Sequence, residues 1–190
     1  MQGAELKGWR RSERQRLLAL RTAAPPVERR LWGTEIEANL RALLLERPVV
    51  TLGVYWPFQA EFDPRSLIDW VIAQGHAVAL PAVVDKKGPL EYRAWRPGDA
   101  LVDGVWNIPI PEVRHVVLPQ AVLGPLVGFD RQCYRLGYGG GYFDRTLAAF
   151  SVPPLAIGVG FEMSQIETIF PQPFDIPMDV IVTEARIRRR

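Results

Sequence analysis

Between Gly128 and Arg145 the chain reads Gly128-Phe129-Asp130-Arg131-Gln132-Cys133-Tyr134-Arg135-Leu136-Gly137-Tyr138-Gly139-Gly140-Gly141-Tyr142-Phe143-Asp144-Arg145. Four glycines in the five positions 137–141 leave a short loop whose amide N–H groups can approach a bulky anion closely. Arg135 and Arg145 flank the loop with planar, fork-shaped cations suited to phosphate oxygens. Asp144 adds a hard oxygen ligand of the kind Mg²⁺ takes. From Phe143 to Phe150 the sequence reads as a helix, whose first turn would aim orphan N–H groups and a positive dipole end at the loop. This pattern suits a nucleotide phosphate held beside a divalent ion. A glycine-rich turn without a ligand is the plainer alternative, and the flanking arginines with Asp144 weigh against it.

The loop matches neither of two common glycine fingerprints. A dinucleotide loop starting at Gly137 needs its third glycine where Tyr142 stands, and a P-loop needs Gly-Lys-Ser/Thr. The lysines are Lys7, Lys86 and Lys87, none in that setting.

The run Arg135 to Arg145, preceded by Gly128-Phe129-Asp130, resembles the signature of the 5-formyltetrahydrofolate cyclo-ligase (5,10-methenyltetrahydrofolate synthetase) family. The resemblance implies an ATP- and Mg²⁺-dependent ring closure. The formyl oxygen of 5-formyltetrahydrofolate is phosphorylated, N10 attacks the activated carbon, and phosphate leaves to give 5,10-methenyltetrahydrofolate, ADP and phosphate. Such chemistry asks for positioning and charge neutralisation rather than a protein nucleophile. By the same resemblance, Arg135 and Asp144 carry catalysis. Arg135, Leu136, Gly137, Tyr138, Gly139, Gly140, Gly141, Tyr142 and Phe143 bind ATP as co-substrate, and Tyr138 and Tyr142 also contact the folate.

Further elements must bring partners to this loop. Gly8 to Ala23 reads as a helix with Leu6, Trp9, Leu17 and Leu20 as its apolar stripe. Arg10, Arg14 and Arg21 fall on one side of it, which by default is a solvated basic face. The family resemblance implies ATP contacts at Arg10 and Arg14, although the family usually has lysine at the first of these. Pro25-Pro26 breaks the chain, and a second helix is expected from Val27 to Glu46.

Val49 to Tyr55 is an apolar run of buried-strand type. It leads into Trp56-Pro57-Phe58-Gln59-Ala60-Glu61-Phe62-Asp63-Pro64 at what should be the carboxyl end of that strand, the edge where open α/β sheets bind ligands. Tyr55, Trp56 and Phe58 offer flat apolar faces to a flat heteroaromatic ring. Glu61 can accept paired hydrogen bonds from an amino-pyrimidinone edge. Core plugs and a surface carboxylate are the plainer alternative. The resemblance implies that Trp56 and Glu61 bind substrate.

A helix from Arg65 to Gln74, ended by Gly75, and a strand from His76 to Pro81 complete a right-handed crossover of the parallel-sheet kind. Gly88 to Trp95 and His115 to Pro119 read as strands, Pro154 to Gly160 as another, and Ser164 to Ile169 as a helical turn. In Pro173-Phe174-Asp175-Ile176-Pro177-Met178-Asp179, which resembles the family's closing motif, Phe174 replaces the usual histidine. Asp179, just before the last strand, is matched to the second magnesium-linked carboxylate, with a strand-capping aspartate as the alternative. Strand and helix alternate as in an α/β protein, and the resemblance implies three α/β/α layers with a mainly parallel central sheet.

The 190 residues are expected to form a single domain over 1–190. An apolar content of 48% with 23% charged residues is ordinary for a globular protein. No apolar run approaches the ~18 residues of a membrane span, and the N-terminus lacks a signal-peptide core, so a cytoplasmic location is expected. The single Cys133 excludes an internal disulfide or a cysteine-based zinc site. A net charge of +2 does not imply nucleic acid, and Arg186, Arg188, Arg189 and Arg190 are read as a frayed, solvated end. Small-molecule substrates and a monomer or weak homodimer are expected. Two other readings stay open. One is a paralogue that keeps the ATP–Mg²⁺ machinery for a different substrate; the other is a nucleic-acid binder using the arginine-rich ends.

Overall fold

The computed structural model describes residues 3–190. Helices α1 (Gly3–Ala23) and α2 (Pro26–Glu46) open the chain. Pro26 lies in the first turn of α2, where its missing N–H breaks no helical bond. There follow β1 (Thr51–Gly53), α3 (Arg65–Ala73), β2 (Ala77–Val83), β3 (Leu90–Trp95), β4 (Leu101–Asp103), β5 (Pro109–Pro111), β6 (Ala121–Pro125), β7 (Gly128–Phe129), β8 (Arg135–Leu136), α4 (Tyr142–Ala149), β9 (Leu155–Val159), β10 (Val180–Val182) and β11 (Ile187–Arg189). None of the described helices is long and apolar enough to cross a membrane.

Seven strands form one sheet in the order β11-β10-β9-β6-β1-β2-β3. The five inner strands are parallel, and the outermost pairs, β2 with β3 and β10 with β11, are antiparallel. The connection β1–α3–β2 steps one way along the sheet and β6–α4–β9 the other. Right-handed crossovers stepping in opposite directions put their helices on opposite faces. Leu67, Ile68 and Val71 of α3 accordingly pack with α2 residues Ile36, Leu40 and Leu43 on one face, while Phe143 and Leu147 of α4 cover the other. Leu17 of α1 packs with Val127, Leu136 and Ile169. The result is the expected α/β/α layering. The chain leaves the carboxyl ends of the adjacent strands β1 and β6 toward α3 and α4 on opposite faces, the switch point at whose crevice such sheets bind ligands.

Three expectations are corrected. The strand expected at His115 to Pro119 is reduced to a single bridge between Val116 and Arg93, and the central strand is Ala121–Pro125. Its Gly124 and Pro125 look like strand breakers. Gly124 is there because a Cβ would sit 2.7 Å from the Phe143 ring, and Pro125 ends the strand. The helical turn expected at 164–169 is a 3₁₀ turn at Glu162–Ser164. The arginine tail is an edge strand, not a frayed end. Arg188 donates to Gln165 Oε1 at 2.9 Å, Arg186 pairs with Glu162 at 2.9 Å, and Arg189 pairs with Glu46.

Candidate active site

The carboxyl ends of β1, β2 and β6 open into a cavity of about 1010 Å³, at the upper end for small-molecule sites. The glycine loop forms one wall. It leaves the short β7–β8 hairpin, whose turn is fixed by the buried Asp130 carboxylate accepting the N–H groups of Gln132, Tyr134 and Ile169 at 3.0–3.2 Å. Gly139 has φ +96° and Gly141 φ +65°, a region L side chains rarely occupy. Among the described residues, the N–H groups of 137–141 donate to no protein acceptor, which leaves the loop's donors for water or a ligand.

Two elements dock onto this loop. Arg14 of α1 donates from Nε to the Gly137 carbonyl at 2.7 Å, and its guanidinium lies 3.3 Å from where a Cβ on Gly139 would stand. Arg135, the first residue of β8, stacks over the Phe143 ring at 4.6 Å and donates to Asp144 Oδ2 at 2.8 Å. Its Nε is buried without a partner. Burial holds both guanidinium groups below their ordinary pKa. Desolvated cations of this kind gain most from an incoming anion. Arg145 also lines the cavity, 4.9 Å from the centre of the Tyr142 ring.

Asp144 Oδ1 accepts the N–H of Ile176 at 3.1 Å, which brings the closing segment onto the same wall. There Asp175 lines the cavity and takes Arg10 on both oxygens, at 3.2 and 2.5 Å. Arg10 also donates to the carbonyls of Ile169 and Phe170, so four of its five N–H groups are engaged within the protein.

Asp179 is placed elsewhere. It directly precedes β10 at the amino edge of the sheet, opposite the cavity, where Oδ2 accepts the Ala156 N–H at 2.9 Å and its own N–H bonds the Ala156 carbonyl. It is the strand cap weighed above, and Asp175 is the second carboxylate on the wall of Asp144. The sequence held a hint of the cap, but nothing in it placed Asp175 beside Asp144. Asp179 directly precedes the β-branched run Val180-Ile181-Val182, as a capping residue would, while Asp175 lies in irregular chain.

The opposite wall is apolar and aromatic. Trp56 lines it, edge-on to Trp95 at 6.0 Å. Phe58 contacts the Tyr138 ring edge-on at 5.9 Å. Glu61 reaches across to the glycine loop. The Tyr138 hydroxyl donates to Oε1 at 2.6 Å and the Phe58 N–H to Oε2 at 2.8 Å. Each carboxylate oxygen keeps a further lone pair. Burial raises the Glu61 pKa above its ordinary value, against the lowering effects of the Tyr138 bond and of Arg21.

Of the residues singled out from the sequence, all but Asp179 line this one cavity: Arg10, Arg14, Trp56, Glu61, Asp144 and the whole run Arg135 to Phe143. Others come from segments to which the sequence assigned no site residue. Trp106, 61% exposed with φ +58°, meets Tyr142 edge-on at 5.8 Å, and Ile108 and Ile110 continue that rim. Tyr92 reaches the cavity from β3. A tryptophan in the Gly/Pro-rich stretch 98–112 was the available signal for Trp106; nothing local marks Tyr92. Among the described residues no three His, Cys, Asp or Glu side chains converge as a metal cage.

Comparison with known proteins bears on this geometry. The model of the 5-formyltetrahydrofolate cyclo-ligase family matches residues 6–184. The chain is 29% identical over 178 residues to the 5-formyltetrahydrofolate cyclo-ligase of Escherichia coli K12, covering 88% of this chain and 96% of that one. It is 30% identical over 144 residues to the Mycolicibacterium smegmatis enzyme of the same name, covering 72% and 74%. The solution structure of Aquifex aeolicus 5,10-methenyltetrahydrofolate synthetase superimposes with a TM-score of 0.82 at 28% identity, over 95% of this chain and 92% of that one.

Proposed function

The chain belongs to the 5-formyltetrahydrofolate cyclo-ligase family, and from that premise we propose that it converts 5-formyltetrahydrofolate to 5,10-methenyltetrahydrofolate in this cavity, with ATP cleaved to ADP and phosphate. One observation carries the reading. A phosphate-suited wall and an aromatic, carboxylate-bearing wall face each other across a single cavity and are joined by the 2.6 Å bond from Tyr138 to Glu61.

The triphosphate lies along the glycine loop, with the amides of 137–141, Arg14, Arg135 and Arg145 as donors. The desolvated guanidinium groups of Arg14 and Arg135 beside unpartnered amides supply positioning and charge neutralisation, the two things phosphoryl transfer needs from a protein. Arg10 holds Asp175 in place and keeps one N–H for the nucleotide. The pterin lies between the Trp56 side and the Tyr142–Trp106 rim. There Glu61 accepts an N–H and NH₂ edge through the lone pairs that Tyr138 and Phe58 leave open. Enclosure by aromatic side chains keeps water from the activated formyl carbon while N10 closes on it.

The residues present fit a magnesium ion. Asp144 and Asp175 give the one or two carboxylates that Mg²⁺ takes from a protein when phosphate oxygens and water complete its shell. When bound there, the ion neutralises charge on the β- and γ-phosphates.

The test is to follow methenyl absorbance with purified protein, 5-formyltetrahydrofolate, ATP and Mg²⁺. Product that depends on all three supports the reading; ATP turnover indifferent to the folate would sink it.

A further inference from the structure

The first helix contributes a residue that the reaction scheme above does not use. Arg21 stands in the last turn of α1, is 6% exposed, and among the described residues has no carboxylate in direct contact. It binds three acceptors on three segments: Nε donates to the Gln59 carbonyl at 3.0 Å, Nη1 to the Leu126 carbonyl at 3.0 Å, and Nη2 to the Tyr138 hydroxyl oxygen at 2.6 Å. Gln59 belongs to the loop after β1, Leu126 follows β6, and Tyr138 is inside the glycine loop.

The contact with Tyr138 fixes the direction of a hydrogen bond. A phenol has one proton to donate, and a guanidinium can only donate. With Arg21 donating to its oxygen, the Tyr138 hydroxyl directs its own proton elsewhere, and the acceptor 2.6 Å away is Glu61 Oε1. The sequence Arg21 N–H to Tyr138 O–H to Glu61 therefore runs one way only. At the other end of the same side chain, Gln59 and Ala60 have φ +46° and +60°, a costly conformation for residues with a Cβ. The Arg21 bond to the Gln59 carbonyl braces that turn, from which Glu61 projects.

We propose that Arg21 is a positioning residue for the folate: it fixes the orientation of the Glu61 carboxylate through the Tyr138 hydroxyl and the 59–60 turn, and so joins the folate wall to the glycine loop. The proposal rests on the reading of Glu61 as the pterin acceptor. It adds a residue outside the cavity lining and a direction for the bond that reaches into it.

The geometry makes Arg21 and Tyr138 parts of one device, so their removal should not be additive. Arg21→Met keeps the apolar stem and removes the donors, Arg21→Lys keeps the charge and one reach, and Tyr138→Phe removes only the hydroxyl. In methenyl-forming assays, Arg21→Met and Tyr138→Phe should each raise the KM for 5-formyltetrahydrofolate about tenfold, the scale of a lost hydrogen bond to a charged group. The KM for ATP should move less, the double variant should match the worse single one, and Arg21→Lys should fall between wild type and Arg21→Met. A ligand-free measurement separates this from a failure of the folate reading. Amide exchange at Phe58, whose N–H is held by Glu61 Oε2, should quicken in Arg21→Met while Leu123 in β6 stays protected. If wild type forms no methenyl product but this local pattern appears, the positioning stands and the choice of substrate falls. Additive variants, equal shifts in both KM values, or exchange at Phe58 that quickens only in step with Leu123 would overturn the proposal.

Discussion

Asp144 accepts the backbone N–H of Ile176 at 3.1 Å through one oxygen while its other oxygen takes Arg135 at 2.8 Å. One carboxylate thus joins the start of α4, the start of β8 and the segment carrying Asp175. A group proposed to hold a metal ion is also a structural junction, and experiments on it must separate the two roles.

Asp144→Ala should abolish Mg²⁺-dependent turnover and also destabilise the protein. The Arg135 side chain is 7% exposed, and removing its partner leaves a buried, unpaired cation, which costs about 3 kcal/mol. Asp144→Asn keeps one acceptor and the volume, so it should lose turnover with a smaller drop in melting temperature. Near-normal activity in Asp144→Asn would refute the metal assignment.

Asp175→Asn and Asp179→Asn should differ in Mg²⁺ dependence. The first should raise the Mg²⁺ concentration needed for half-maximal rate by tenfold or more, about 1.4 kcal/mol of lost ligation. The second should leave that concentration unchanged while lowering stability by about 1 kcal/mol through its weakened bond to Ala156. Mg²⁺ titrations with thermal melts of both variants decide the matter; a shifted Mg²⁺ dependence in Asp179→Asn alone would reinstate it as the ligand.

Burial pushes the Glu61 pKa above its ordinary 4.5, and pterin recognition uses the ionised form. The KM for 5-formyltetrahydrofolate should therefore rise as pH falls through that raised value, with the KM for ATP less affected. Glu61→Gln should raise the folate KM at neutral pH and flatten this acid limb. The linkage with stability has the opposite sign. A carboxyl group with a raised folded-state pKa stabilises the fold below 4.5, and that contribution is lost as pH rises through the folded value. An unchanged acid limb in Glu61→Gln would assign it to another group.

Gly139→Ala should raise the KM for ATP several-fold. At φ +96° a Cβ is strained, and it would also press on the Arg14 guanidinium 3.3 Å away. The conformational penalty is about 1–2 kcal/mol. Steady-state kinetics in both substrates check this, and a larger effect on the folate would place the nucleotide elsewhere.

Much of this protein could be read locally. The apolar run before Trp56, the amphipathic helix from Arg65 and the strand after Gly75 gave the parallel crossover, because strand and helix periods are properties of neighbouring residues. The glycine loop was legible for the same reason: glycine, arginine and aspartate at close spacing restrict what a short segment can hold. Tertiary contacts decided the rest. Ala121–Pro125 is the central strand despite its Gly and Pro, since Phe143 needs the space above Gly124. The tail arginines form an edge strand because β10 offers an open edge. Asp175 and Asp179 are the same residue type four positions apart. Only the path of the chain across the sheet puts Asp175 beside Asp144 and leaves Asp179 at the far edge. Arg21 looked like one more solvated cation on a basic helix face, and its role depends on three carbonyl and hydroxyl oxygens that lie 38, 105 and 117 residues away. Sequence spacing sets which side chains share a face, but which acceptors meet that face is fixed only when distant segments pack together.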